Sequence, residues 1–209
     1  MKKYIAETIG TFALVLVGTG AVVLDQHTSG SVTNLGISAA FGLIVTAMIL
    51  VFGKISGTHI NPAVSIALAV NRSFSWEEIA PYLLSQMSGA LLASIILKFS
   101  FPANEFLGVT LPSGSAMQSF WLELFLTFCL MMVILISPPK IAAVTIGLTV
   151  GLEAYFAGPI CGASMNPIRS LAPAIVSGHL EHIWVYISAP IIGAVLSVFL
   201  WKIIKPKEN

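Results

Sequence analysis

The stretches Gly57-Thr58-His59-Ile60-Asn61-Pro62-Ala63 and Gly162-Ala163-Ser164-Met165-Asn166-Pro167-Ile168-Arg169 decide how this chain is read. Asn is a strong helix N-cap, and Pro fits the first helical position, where its missing N–H has no partner to lose. Each Asn-Pro pair therefore starts a helix. The helices they start, at 61–70 and 166–176, are apolar but only about half the roughly 20 residues that cross a hydrocarbon core. They read as re-entrant half-helices.

Around them lie six stretches of spanning length, at 4–24, 35–52, 76–99, 116–136, 141–156 and 183–203. Of the 209 residues, 56% are hydrophobic and 9% charged, against about 25% charged in a soluble domain. The expectation is an all-α membrane protein with six transmembrane helices and two re-entrant half-helices, surrounded by membrane lipid. A formal net charge of +1 offers no field for nucleic acid. Lys2 and Lys3 precede a long apolar run, but Glu7 interrupts it and no cleavage site follows, so the first helix reads as retained.

Six spans put both termini on one side. Lys2, Lys3, Lys54, Arg72, Lys140, Lys202, Lys205 and Lys207 fall on that side, with Lys98 in a loop opposite, so both termini are expected to be cytoplasmic.

The chain repeats itself. Asn61-Pro62 recurs as Asn166-Pro167 and Gly42-Leu43 as Gly147-Leu148, both 105 residues on; Gly89-Ala90-Leu91-Leu92 has its partner in Gly193-Ala194-Val195-Leu196, 104 residues on. Glu7 with Thr11-Phe12 matches Glu123 with Thr127-Phe128 at an offset of 116. Residues 1–209 thus read as one channel domain of two repeats, about 4–100 and 116–203. With three spans in each half, the second repeat is inverted, and sites lie at the interface between such repeats.

Two half-helices entering from opposite faces meet tip to tip, aiming two positive macrodipole ends and the Asn61 and Asn166 amides at one point. A water or hydroxyl oxygen accepts hydrogen bonds there, while a cation meets a barrier. Non-helical backbone at membrane depth must line a cavity or be buried in protein. Gly57, Thr58, His59 and Ile60, with Gly162, Ala163, Ser164 and Met165, are expected to turn carbonyls toward a pore.

Arg169 inside a membrane segment reads as a donor at a pore constriction, the alternative being an arginine that snorkels to the headgroups. Glu7 and Glu123 need donors, and the N–H groups of the re-entrant loops are the nearest; a proton relay is the rival reading. Gln86 reads as an interhelical hydrogen-bond residue. Three roles are open to Glu153: pairing with Arg169, bonding loop backbone, or facing a subunit contact. Cys161 is placed near the outer mouth, either as a buried residue in a turn or as a pore-exposed thiol. His27, His179 and His182 fall in expected loops and His59 in the re-entrant loop. With Cys129 and Cys161 the histidines form no metal-ligand pattern, and no catalytic triad is visible. Gly147-x-x-x-Gly151 permits close helix packing, within a subunit or between subunits.

The two Asn-Pro loops, with Ala6-Glu7-x-x-Gly10-Thr11-Phe12 and Glu123-x-x-x-Thr127-Phe128, resemble the signatures of the aquaporin family over nearly the whole chain. The resemblance implies an aquaporin fold, a homotetramer with one pore per subunit, no cofactor, no metal and no enzymatic activity. It also implies a selectivity filter at Phe41, Ala154, Ala163 and Arg169. Strict water channels of that family carry histidine at the place of Ala154, so a wider filter is expected. Ser170 after the filter arginine and the run 158–165 look most like the nodulin-like branch and its bacterial relatives. That branch passes water, glycerol, urea and neutral metalloid acids such as arsenite, boric acid and silicic acid. Ile168 departs from the family's alanine and is expected to crowd the opposing half-helix tip. The alternatives are a strict water channel and a secondary transporter, the latter resting on Glu153. The short chain suggests a prokaryotic inner membrane.

Overall fold

The computed structural model describes residues 1–205, so Lys207, counted above with the basic residues, lies outside the described residues. Every described element is helical. Six helices are long and apolar enough to span: α1 (Lys2–His27), α2 (Thr33–Ser56), α4 (Ile79–Ser100, entered through a 3-10 turn at Trp76–Glu78), α5 (Ala116–Ile136), α6 (Ala142–Cys161) and α8 (Ile183–Ile204). Two short helices complete the described residues, α3 (Pro62–Val70) and α7 (Pro167–Ser177).

The packing pairs equivalent helices. α1 lies against α4 as α5 lies against α8, α2 crosses α6 at the centre, and each short helix leans on the last span of the opposite half, α3 on α8 and α7 on α4. The central crossing is close because Gly42 faces Gly147 and Gly151: a Cβ on Gly42 would stand 2.8 Å from the Gly147 carbonyl oxygen. The Gly147-x-x-x-Gly151 pair thus packs within the subunit. Side chains on Gly89 and Gly193 would likewise collide with the Thr8 and Leu124 carbonyls of the neighbouring helix.

Several boundaries move outward. The span expected at 141–156 runs on to Cys161, through Pro159. A helical proline leaves the carbonyl four residues back without its donor, and here that carbonyl, of Tyr155, accepts a 2.7 Å bond from Asn34 Nδ2. The helix ends at Gly162, whose φ of 87° only glycine adopts freely. α1 reaches His27, which is helical rather than in a loop and meets Phe101 edge-on at 5.3 Å. α1 also contains a π-helical segment, Leu14–Thr19.

Candidate functional site

The chain entering each half-helix is strained in the same way. Gly57, Thr58 and Ile60 have φ of 81°, 48° and 42°, and Gly162, Ala163 and Met165 have 87°, 41° and 52°. Left-handed backbone is costly for side-chain-bearing residues, most of all a β-branched one such as Ile60, and persists only where the surroundings enforce it. The enforcing groups are the two buried glutamates. Glu7 accepts from His59 N at 2.9 Å and Ile60 N at 2.7 Å, and Glu123 from Ser164 N at 2.7 Å and Met165 N at 2.8 Å. Glu7 also takes Ser56 Oγ and Gln86 Nε2, both at 2.8 Å. Gln86 therefore does bridge helices.

Just before each strained loop a tyrosine ties down the last helical carbonyl. Tyr82 donates to Ser56 O and Tyr186 to Cys161 O, each at 2.8 Å. At the far end of each half-helix a lysine does the same: Lys98 Nζ donates to Val176 O and Lys202 Nζ to Val70 O, each at 2.9 Å. A cation on the C-terminal carbonyls favours the helix dipole. Lys98 is thus in the last turn of α4, not in a loop. The sequence motifs give none of these four residues this role, although Tyr82 and Tyr186, and Lys98 and Lys202, stand 104 residues apart, as Gly89 and Gly193 do.

The N-caps meet across the molecule. Asn61 Nδ2 donates to Met165 O and Asn166 Nδ2 to Ile60 O, each at 2.8 Å, while each Asn side-chain oxygen accepts from its own first helical turn. The carbonyls of Ile60 and Met165, expected to point to a pore, are thereby taken by the opposing loop. Among the described residues no protein donor reaches the carbonyls of Gly57, Thr58, His59, Gly162, Ala163 or Ser164.

Two cavities, each of about 470 Å³, reach toward this meeting point. One runs from Lys54 and Lys140, past His59, Asn61 and Asn166; the other starts at Asp25 and Phe106, near the opposite ends of α1 and α2, and takes in Ala154 and Gly162. Among the described residues, Phe41 and Arg169 alone belong to both walls. The Arg169 guanidinium carbon stands 5.0 Å from the centre of the Phe41 ring, a cation–π distance. Its Nη1 donates to Gly108 O at 3.3 Å. Arg169 is 4% exposed, so it faces the cavities and does not snorkel. Ala163 lies on the wall of the first cavity, in the same packed cluster as Phe41 and Ala154.

Around the second loop, Ser170 Oγ bonds Thr110 Oγ1 at 2.6 Å and Ser164 Oγ at 2.5 Å, and Ser164 Oγ donates to Asn166 O. In the first loop the equivalent serine, Ser65, bonds His59 Nδ1 at 3.0 Å and Asn61 O at 3.1 Å, and the His59 ring packs on Phe74 and Tyr82.

One expectation is corrected, at Ile168, and the open readings of Cys161 and Glu153 are narrowed. Ile168 does not press on the opposing tip: it is buried in a separate cluster with Val15, Ala90, Ala93 and Ala172, where the alanines make room for it. Its counterpart Ala63 meets the bulkier Met131, which stands 116 residues after Val15, so volume is exchanged across the repeat. Cys161 is fully buried, its Sγ 3.5 Å from Ala157 O, and presents no thiol at the mouth. Glu153 lines neither cavity, and among the described residues it neither pairs with Arg169 nor bonds loop backbone; its Oε2 is buried without a partner.

Comparison with known proteins adds the family. The sequence pattern described as Major intrinsic protein matches residues 1–201. The chain is 42% identical to Aquaporin NIP1-1 of Oryza sativa subsp. japonica over 212 residues, covering 98% of this chain and 75% of that protein. It is 38% identical to Nodulin-26 of Glycine max over 213 residues, covering 98% and 78%. The solved structure of the aquaglyceroporin from Plasmodium falciparum is similar with a TM-score of 0.88 at 28% identity, covering 97% of this chain and 96% of that one.

Proposed function

Because this chain belongs to the major intrinsic protein family and is a membrane channel for water and small uncharged solutes, we propose that its solute range is set between Phe41 and Arg169 and is wide enough for glycerol and urea. The observation that carries this reading is that the two cavities share only those residues. Ala154 and Ala163 are the other members of the proposed filter. Neither alanine has bulk to close it, while Arg169 supplies donors to a hydroxyl or carbonyl oxygen. Neutral metalloid acids, which present hydroxyls in a similar compact volume, belong to the same proposed range.

Beyond the filter, the Asn61-Pro62-Ala63 and Asn166-Pro167-Ile168 tips form the proposed midpoint of the path. One N–H of each amide is committed to the opposing loop, and the second is left for a passing oxygen. The six unbonded carbonyls of Gly57, Thr58, His59, Gly162, Ala163 and Ser164 are the proposed acceptor ladder. Two helix N-termini and a buried guanidinium together oppose cations, since each presents positive charge to the path. Glu7 and Glu123 serve as loop supports. Their hydrogen bonds to loop N–H groups favour that role over a proton relay.

We further propose that residues 1–209 form one domain of two inverted repeats, about 4–100 and 116–203, and that four copies assemble with one pore each. Both termini are placed on the cytoplasmic side by the lysine and arginine asymmetry. The prokaryotic inner membrane expected above draws no support from relatives found in plants, and the proposed location is the membrane alone.

The test is osmotic: protein reconstituted in liposomes, with light scattering followed after jumps in an impermeant osmolyte and then in glycerol. Rapid glycerol uptake that falls about tenfold in Ala154→His, as an added group in a tight pocket produces, supports the wide filter. Fast water flux with no glycerol uptake by the unaltered chain makes it a strict water channel instead.

A further inference from the structure

We propose that the π-helical turn of α1 is the back wall of the constriction, and that Gly18 on it is a positioning residue that sets how far the Phe41 ring reaches into the solute path; this rests on the reading of Phe41 and Arg169 as the filter. The turn follows from the burial pattern of α1. Its buried residues come in pairs, Ala6-Glu7, Gly10-Thr11, Leu14-Val15 and Gly18-Thr19, repeating every four positions. A regular helix of 3.6 residues per turn drifts about 40° at each such step. The buried stripe would leave the interface within three steps. A wider turn cancels the drift, and Leu14–Thr19 is π-helical. Such turns recur at functional sites.

The turn carries both Gly18 and Thr19 inward, and each backs one member of the constriction. A Cβ on Gly18 would stand 2.9 Å from Cζ of Phe41 and closer still to Cδ1 and Cε1. The ring therefore lies directly on the glycine backbone. Thr19 sits against Gly108, where a Cβ would meet Thr19 Cγ2 at 2.7 Å and Thr19 O at 3.0 Å. Gly108 in turn offers its carbonyl to Arg169 Nη1. One helical turn thus supports the aromatic side of the constriction directly and the cationic side through Gly108.

The direction of the effect follows from packing. Phe41 is 7% exposed and packed among Leu14, Val45, Ile60 and Ala154. A ring displaced by a methyl group at residue 18 finds space only on its cavity side, toward Arg169. Gly18→Ala therefore narrows the opening without altering any residue that lines it. The clash itself costs stability, offset in part by the gain in helix propensity, and a partly unfolded sample lowers water and glycerol flux alike without moving their ratio.

The experiment compares the unaltered chain with Gly18→Ala, Phe41→Leu and the double variant in liposomes, measuring water, urea and glycerol permeability at matched protein content. The expected result is a glycerol-to-water ratio about tenfold lower in Gly18→Ala, urea affected less, and the ratio restored when Phe41→Leu is added. The fall in the ratio is the decisive readout, because a partly unfolded sample loses water and glycerol flux together; restoration by Phe41→Leu then identifies the ring as the group displaced. An unchanged ratio in Gly18→Ala, or a double variant no better than the single one, overturns the inference while a ratio that responds to Phe41→Leu leaves the filter standing. If Phe41→Leu alone leaves the ratio unchanged, the filter reading falls and this inference with it.

Discussion

The loop at 57–63 and the loop at 162–169 share the same main supports and differ in what lies beside them, Glu7 taking two further donors, Ser56 Oγ and Gln86 Nε2, that Glu123 lacks. In both, a buried glutamate takes two loop N–H groups, a tyrosine takes the carbonyl before the glycine, a lysine takes the C-terminal carbonyl of the half-helix, and an asparagine bonds across to the other loop. The differences lie three residues past each asparagine, where Val64 stands in one half and Arg169 in the other, and beside the serines, where His59 faces Ser65 but Ser164 faces Ser170. Support is symmetric because both loops must solve one problem, a left-handed backbone in a dry interior. In the proposed filter, selection rests on the half that differs, at Arg169.

The largest expected effect attacks the support. Glu123→Ala strands two buried N–H groups at about 1–3 kcal/mol each, and Glu7→Ala strands the two equivalent groups in its own loop and takes the acceptor from Ser56 Oγ and Gln86 Nε2 as well. Both are expected to destabilise the folded channel, Glu7→Ala by at least as much, read as lowered unfolding temperature in detergent and lost water flux. A tolerated Glu7→Ala beside a ruinous Glu123→Ala would break the equivalence of the two loops.

Next in size is the asymmetric residue itself. Arg169→Val copies the first half's Val64 into the second, and removes the one cation at the narrow point. Glycerol and urea permeability is expected to rise about tenfold, with a cation conductance appearing across planar bilayers and little change in unfolding temperature. A flux and conductance identical to the parent chain would show that the asymmetry does not select.

The smallest effect sharpens the symmetric side. Lys98→Met and Lys202→Met each remove a charge from a half-helix C-terminus, worth about 0.3–1 kcal/mol. Equal small drops in unfolding temperature are expected, with the glycerol-to-water ratio unaltered. A shift in that ratio for one variant alone would mean its half-helix end is tied to the filter.

Much of this was legible in the chain. Asn61-Pro62 and Asn166-Pro167 announce two helix starts because capping and proline chemistry are local, and the six spans announce themselves by length and apolarity. Glu7 and Glu123 were legible because a carboxylate in an apolar helix demands donors. Less legible were residues whose role appears only at a distance: Asn34, which satisfies the carbonyl freed by Pro159, and Gly108, whose carbonyl holds Arg169. No local pattern marks either one. Ile168 was misjudged for the same reason, since its neighbours Val15, Ala90 and Ala93 come from two other helices.

The six long apolar helices, the two half-helices and the polar residues the interior must satisfy are read along the chain, because each follows from what a hydrocarbon solvent forbids: unpaired backbone, unpaired charge, spans too short. Which walls meet at Phe41 and Arg169, where Ile168 finds its room, and that a π turn in α1 packs against the Phe41 ring appear only once the helices are assembled. Those depend on the distances between side chains on different helices, which close packing sets to within a methyl group.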